Sequence, residues 1–161
     1  MADDASPTGS KSFVRRHPHH EVIFKDGAPT IVFITVCTRD RVSWLASPAV
    51  HDCLVSIWRQ ARAWYVGRYV LMPDHLHLFA SPGALELPLK NWVTYWKSQF
   101  SKLHQNSAHR WQSDYWDTTV RGIDRYEEKW VYALNNPVRK GLVEHADAWP
   151  FQGELFELRW R

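Results

Sequence analysis

Residues 69–79, Tyr-Val-Leu-Met-Pro-Asp-His-Leu-His-Leu-Phe, constrain this chain more than any other segment. Apolar runs flank a Pro73-Asp74 step, and that step favours a turn. A strand, a turn and a second strand are predicted, with residues 65–72 as one arm and 75–80 as the other. Alternate side chains of a strand point to opposite faces. His75 and His77 therefore project together, while Leu76 and Leu78 project the other way into a core. Two imidazoles on one strand face are half of a metal site.

The remaining elements are predicted from periodicity. Residues 30–38 are β-branched and continuous, as in a buried strand. Ser47-Pro48 starts a helix, with a capping side chain and a proline in the first turn. Val50, Leu54, Ile57, Trp58 and Ala61 then recur at helical spacing. Leu89, Trp92, Val93, Trp96, Phe100 and Leu103 mark a second amphipathic helix. Residues 105–114 read as a loop and residues 115–121 as a fourth strand. Asp124 with Glu127 fits a capping box for a third helix reaching about residue 135, closed by Pro137 and Gly141. The order β-α-β-β-α-β plus a helix is the split βαβ pattern of ferredoxin-like sheets. The expected class is α+β: an antiparallel sheet with helices on one face, the other open to a site or a further helix.

Composition narrows what such a fold would do. The chain has 161 residues, 45% of them hydrophobic, with ten Trp. That suits one domain with a real core. Residues 1–16, rich in Ser, Asp, Lys and Arg, read as a disordered tail, leaving 17–161 as the domain. The net charge of +3 permits an anionic partner without demanding one. Cys37 and Cys53 do not suggest a disulfide framework, and a reduced, cytoplasmic setting is expected. No segment approaches the ~18 apolar residues of a membrane span. The N-terminus lacks the order of a signal peptide.

Tyr132 and Asn136 stand out in the third helix. They are four residues apart and stack on one face. Tyr126, Trp130 and Leu134 form the apolar stripe, and Tyr132 lies well off it, so packing does not require it. If that face meets the histidine strand, one site gains two imidazoles, an amide oxygen and a phenol. Bland readings exist for each residue. An isolated His-x-His pair is more often structural than metal-binding, and asparagine before proline is common for turn reasons.

Three motifs in order change that balance: Met72-Pro73-Asp74-His75-Leu76-His77, residues 111–117 (Trp-Gln-Ser-Asp-Tyr-Trp-Asp), and residues 132–143 from Tyr132 through Asn136-Pro137 to Gly141. Together the sequence resembles the single-tyrosine HUH transposases, and within them the REP-associated tyrosine transposases, over roughly residues 31–149. The resemblance implies that His75 and His77 are paired metal ligands and that Asn136 supplies a third. Tyr132 is implied as nucleophile, with Mg²⁺ or Mn²⁺ as the ion. It implies nicking and rejoining of single-stranded DNA at hairpin sites, through a 5′-phosphotyrosine link. The expected partner is single-stranded or hairpin DNA beside the nucleoid, with a monomer or homodimer as the working unit. The chemistry is coherent. A cation on a non-bridging oxygen relieves the negative charge of a phosphodiester. It also favours the phenolate form of a phenol that is otherwise protonated at neutral pH.

The DNA-binding signals are more diffuse. Lys90 and Lys97 share the polar face of the second helix, followed by Lys102 and Arg110, though a solvated face gives the same pattern. Trp111, Tyr115 and Trp116 with Arg121 suit stacking on unpaired bases. Arg139 and Lys140 suit phosphate contacts. His17, His19 and His20 beside Arg15 and Arg16 read as solvated residues or loose DNA contacts. Tyr115 and Tyr126 are rival nucleophiles of lower rank. Two further functions compete: a domesticated hairpin-binding protein without turnover, and a zinc hydrolase. The hydrolase is disfavoured because Leu78-Phe79-Ala80 follows the pair where an Asp-His is common.

Overall fold

The structure is a computed structural model that describes residues 30–83 and 85–159. The N-terminal tail and the histidines at 17, 19 and 20 lie outside those residues. The described chain runs β1 (Ile31–Thr38), α1 (Pro48–Gln60), β2 (Trp64–Leu71), β3 (His75–Pro82), α2 (Leu89–His104), β4 (Trp111–Val120), α3 (Ile123–Leu134), α4 (Asn136–Arg139) and β5 (Gln152–Glu154).

The five strands form one sheet in the order β4-β1-β3-β2-β5, every pairing antiparallel. The first four give the expected ferredoxin-like α+β arrangement. The expected hairpin is present, with Leu71 opposite Leu76. Its turn is closed by the Met72 amide donating to the His75 carbonyl at 2.7 Å.

Side-chain alternation splits the core in two. Val32, Ile34 and Val36 of β1 and Leu76, Leu78 and Ala80 of β3 face α1 and α2, where Trp58, Trp92, Trp96 and Phe100 are fully buried. Ser47 caps α1, its hydroxyl accepting from the Val50 amide, and Pro48 opens the first turn. Ile31 and Phe33 of β1, Val70 and Met72 around the end of β2, and Phe79 of β3 face α3. There Tyr126 packs on Phe79 with ring centroids 4.3 Å apart, and Ala133 is buried beside them. Trp149 closes this second layer, its indole donating to the Leu71 carbonyl at 2.8 Å.

Three local expectations need correction. The loop expected over 105–114 ends earlier, because β4 begins at Trp111. Polar Gln112, Ser113 and Asp114 hide the strand in the sequence, while the Trp111 ring anchors it 4.9 Å from Trp44 and 5.3 Å from Trp96. The Asp124–Glu127 capping box does not form. The N-cap of α3 is Gly122, at φ 93°, a conformation that glycine adopts without steric cost. Glu127 instead accepts from Arg68 at 3.3 Å. Tyr132 and Asn136 do not share one uninterrupted helix either: α3 ends at Leu134, and Asn136 opens the short α4 with Pro137 behind it. Beyond Trp149, β5 adds an edge strand on β2 that periodicity does not reveal.

Candidate functional site

β3 delivers both imidazoles to the α3 face, as alternation requires. Their rings are nearly perpendicular, with centroids 4.9 Å apart, and both residues are buried. Each ring is oriented from behind. His75 Nδ1 donates to the Asp74 carboxylate at 2.7 Å. A carboxylate only accepts, so the proton sits on Nδ1 and leaves Nε2 as a bare lone pair. His77 Nδ1 lies 2.8 Å from the Thr35 hydroxyl, placed there because Thr35 pairs with His77 across β1 and β3.

The two Nε2 atoms converge on one group. The buried Asn136 amide places Nδ2 3.1 Å from His75 Nε2 and 3.2 Å from His77 Nε2. An amide N–H donates, so both Nε2 atoms accept. That assigns the Nδ1–H tautomer to His77 as well, with Thr35 accepting its proton. Burial, reinforced by His75, Arg139 and Arg41, pushes His77 down to about 3. Burial also lowers His75, with Asp74 opposing. Both rings are held neutral, which is the form that ligates a metal.

Asp74 is itself held. Burial pushes its carboxyl up, but hydrogen bonds from His75 and Arg41 outweigh this and leave it below the usual range. Arg41 Nε donates to Asp74 at 2.9 Å, and its Nη1 reaches Cys37 Sγ at 3.0 Å. Arg41 does so from a left-handed backbone, φ 57°. Sequence reasoning missed Asp74, Thr35 and Arg41 as parts of the site. Asp74 had a signal, since it adjoins His75. Thr35 and Arg41 depend on pairing and turn geometry.

Tyr132 stands at the edge of this cluster, 58% exposed, its ring centroid 6.3 Å from that of His77. The Arg139 guanidinium lies 4.2 Å from the centre of the phenol ring, and its Nη2 donates to the Tyr132 carbonyl at 2.8 Å. A nucleophile needs this combination of access and restraint. The rival tyrosines lack it. Burial pushes Tyr126 and Tyr115 up to about 12. Tyr115 also packs toward the opposite face of the sheet.

The expected DNA-contact residues are dispersed. Lys90, Lys97 and Lys102 lie on α2, behind the sheet, and Lys97 Nζ donates to the Gln112 carbonyl at 2.8 Å. Trp111 belongs to the aromatic stack of Trp44, Trp96 and Phe100. Arg110 donates to the Ser107 carbonyl in the α2–β4 connection. Trp116 pairs with Thr35 across β4 and β1, which puts it on the imidazole face. Arg121 lines a cleft of about 550 Å³ beside Tyr132. Arg139 and Lys140 end the segment that carries Asn136, and both are exposed.

Among solved structures, one match is to a REP-associated tyrosine transposase bound to a REP hairpin. It has a TM-score of 0.64 and 24% identity, over 76% of this chain and 75% of that one. The chain has the fold of a REP-associated tyrosine transposase. A candidate transposase from Deinococcus radiodurans R1 aligns more loosely, with a TM-score of 0.49 and 15% identity over 73% of this chain and 95% of that one. No family model matches the sequence, and no curated protein matches it. In this transposase-like fold, no group of three His, Cys, Asp or Glu among the described residues is arranged to hold a metal. No helix among the described residues is long and apolar enough to cross a membrane.

Proposed function

We propose that the chain is a metal-dependent single-stranded DNA transposase that nicks and rejoins DNA at hairpin sites through Tyr132. One observation carries the reading. An accessible tyrosine stands beside two neutral imidazoles whose lone pairs converge on one amide. The donor set fits a divalent ion. Turning the Asn136 amide by half a revolution replaces its Nδ2 with Oδ1, which gives two nitrogen donors and one oxygen donor. All three are neutral, so none of them offsets the charge of the ion. A bound Mg²⁺ or Mn²⁺ would withdraw charge from the non-bridging oxygens of the scissile phosphate.

The protein's own groups perform the rest. Asp74 holds His75 in the ligating tautomer, and the Thr35 hydroxyl is placed to accept the Nδ1 proton of His77. Arg139 holds the phenol ring and sets a positive charge beside the place where the phosphate arrives. The Tyr132 oxygen attacks phosphorus and gives up its proton as the bond to the 3′-oxygen breaks. The departing 3′-oxygen takes up a proton, leaving a 5′-phosphotyrosine and a free 3′-hydroxyl. Attack by another 3′-hydroxyl reverses the step, rejoins DNA and restores the phenol. No nucleotide cofactor is needed, because the phosphotyrosine link retains the bond energy.

The fold shared with a hairpin-bound transposase supports hairpin DNA as the partner. The test is incubation with labelled single-stranded hairpin DNA and Mn²⁺, then denaturing electrophoresis. A denaturant-resistant adduct that disappears with excess EDTA is expected. Hairpin binding in a gel shift without an adduct would contradict this reading and favour a binding protein without turnover.

A further inference from the structure

Apart from the imidazoles of β3, a second pair of histidines meets where α2 passes into β4. His104 Nε2 and His109 Nδ1 stand 2.7 Å apart. We propose that this pair is a pH-sensitive switch: neutral, it supports the Pro73-Asp74 turn through Trp44, and fully protonated, it parts and releases that turn. The switch rests on the pair itself; its effect on cleavage rests on the transposase reading.

The hydrogen bonds define the neutral state. Asn106 Oδ1 accepts from the Ala108 amide at 3.1 Å, which leaves Nδ2 to face His109 Nε2 at 3.4 Å. An amide N–H donates, so His109 Nε2 is bare and the ring proton sits on Nδ1. That proton points at His104 Nε2, which accepts it. Both accepting nitrogens therefore already face an N–H. A proton added at His109 Nε2 displaces the Asn106 amide. A further proton goes to His104 Nε2, and two N–H groups then oppose each other, so the rings part. A shared metal ion fits less well. Ring centres 4.9 Å apart, in planes 17° from parallel, set the two nitrogens head-on, whereas an ion needs lone pairs that converge at an angle.

The surroundings leave the added charge uncompensated. Phe100 stacks on His104 at 4.8 Å, and Trp44 stacks on His109 at 4.9 Å with planes 6° apart. The indole face tolerates one cation but does not relieve N–H against N–H. On the β1–α1 connection, Asp40 lies 4.0 Å from Arg39, and Arg41 is bound to Asp74. On β4, Asp114 acts on Lys97. Arg110 is committed to the Ser107 carbonyl, and Lys102 is exposed. Burial, with the His109 charge adding to it, holds His104 below its ordinary 6.5. The unfolded chain takes up that proton first, so the contribution of the pair to stability falls as the pH drops below 6.5.

Backbone bonds tie these rings to the turn. The Trp44 and Leu45 amides both donate to the Pro73 carbonyl at 2.9 Å, and the Arg39 amide donates to the Arg110 carbonyl at 2.8 Å. Asp74, next in the turn, orients His75. Parting the pair removes the surface on which Trp44 stacks and lets this segment shift.

The test follows ¹⁵N-labelled full-length protein by NMR in EDTA from pH 8 to pH 5, the range in which imidazole titrates. At pH 8 the nitrogen shifts should show one protonated and one bare nitrogen facing each other between His104 and His109. On acidification the Trp44 and Leu45 amides should shift with the midpoint of the pair, and in His104→Gln and His109→Gln that titration should vanish. Two bare facing nitrogens at pH 8, or Trp44 and Leu45 amides that titrate unchanged in both variants, would overturn the switch. In the Mn²⁺ adduct assay, His109→Gln should match the parent at pH 8 and lose about fivefold less adduct on acidification, as expected for a modest coupling between sites. Equal losses would overturn the link to the turn. If no adduct forms at any pH, the transposase reading falls, and the NMR titration still decides the switch.

Discussion

The two faces of the sheet are built from the same strands and do opposite work. On the α1–α2 face, three fully buried tryptophans and Phe100 seal the layer. On the α3 face, buried aromatics cover only part of the sheet, and β3 there presents two imidazoles instead of leucines. The division runs through single strands: Leu76 goes one way, His75 and His77 the other. Strand parity therefore lets one segment supply stability and chemistry without compromising either.

The comparison is open to attack, most strongly at Tyr132. Tyr132→Phe should abolish the covalent adduct while hairpin affinity changes by no more than about threefold, since an exposed hydroxyl contributes little to binding or stability. Gel shift and denaturing electrophoresis on one sample check both parts. A persistent adduct would move the chemistry elsewhere.

On the sealed face, Trp96→Ala should lower unfolding free energy by about 3–5 kcal/mol in a denaturant melt. Mn²⁺ affinity of the folded variant should stay the same. A large loss of metal affinity would show that the faces are coupled.

Asp74→Asn probes the layer behind the imidazoles. It replaces a carboxylate acceptor that fixes the His75 tautomer, and such outer partners are worth about 10–100-fold in metal affinity or activity. Calorimetric titration with Mn²⁺ would show the loss, and an unchanged affinity would refute the role.

The smallest effect belongs to Lys97, between α2 and β4. Burial pushes its ammonium down to about 8, with Asp114 and Cys37 opposing. Between that value and its ordinary 10.5, the unfolded chain keeps a proton that the native chain has released. Its contribution to stability therefore rises with pH across that window, and the burial cost is largest below it. Lys97→Met should be more stable than the parent by about 1–2 kcal/mol at pH 7, after loss of the bond to the Gln112 carbonyl. That advantage should shrink by pH 10 in paired denaturant melts. A difference that stays constant with pH would show that the ammonium is not the cause.

Local chemistry made much of this fold legible. The β2–β3 hairpin, the capped start of α1 and the apolar stripe of α2 follow from turn residues, Ser47-Pro48 and periodicity. What stayed hidden depends on long-range pairing. Thr35 meets His77 only because β1 and β3 align in one register. Trp111 reads as loop until the rings of Trp44 and Trp96 stand beside it. The cleft needs α3 to cross the sheet beside Phe33, and no motif encodes that crossing. At the site, the pair His75 and His77 with Tyr132 and Asn136 came from spacing and resemblance, whereas the groups that orient them came from geometry.

Peptide mapping of the protein–DNA adduct by mass spectrometry tests the account most directly, because it locates the residue bonded to the 5′-phosphate. The account predicts that the mass of the attached nucleotide falls on Tyr132, and only when Mn²⁺ or Mg²⁺ is present. A modification on Tyr126 or Tyr115, or the same adduct formed in EDTA, would contradict it.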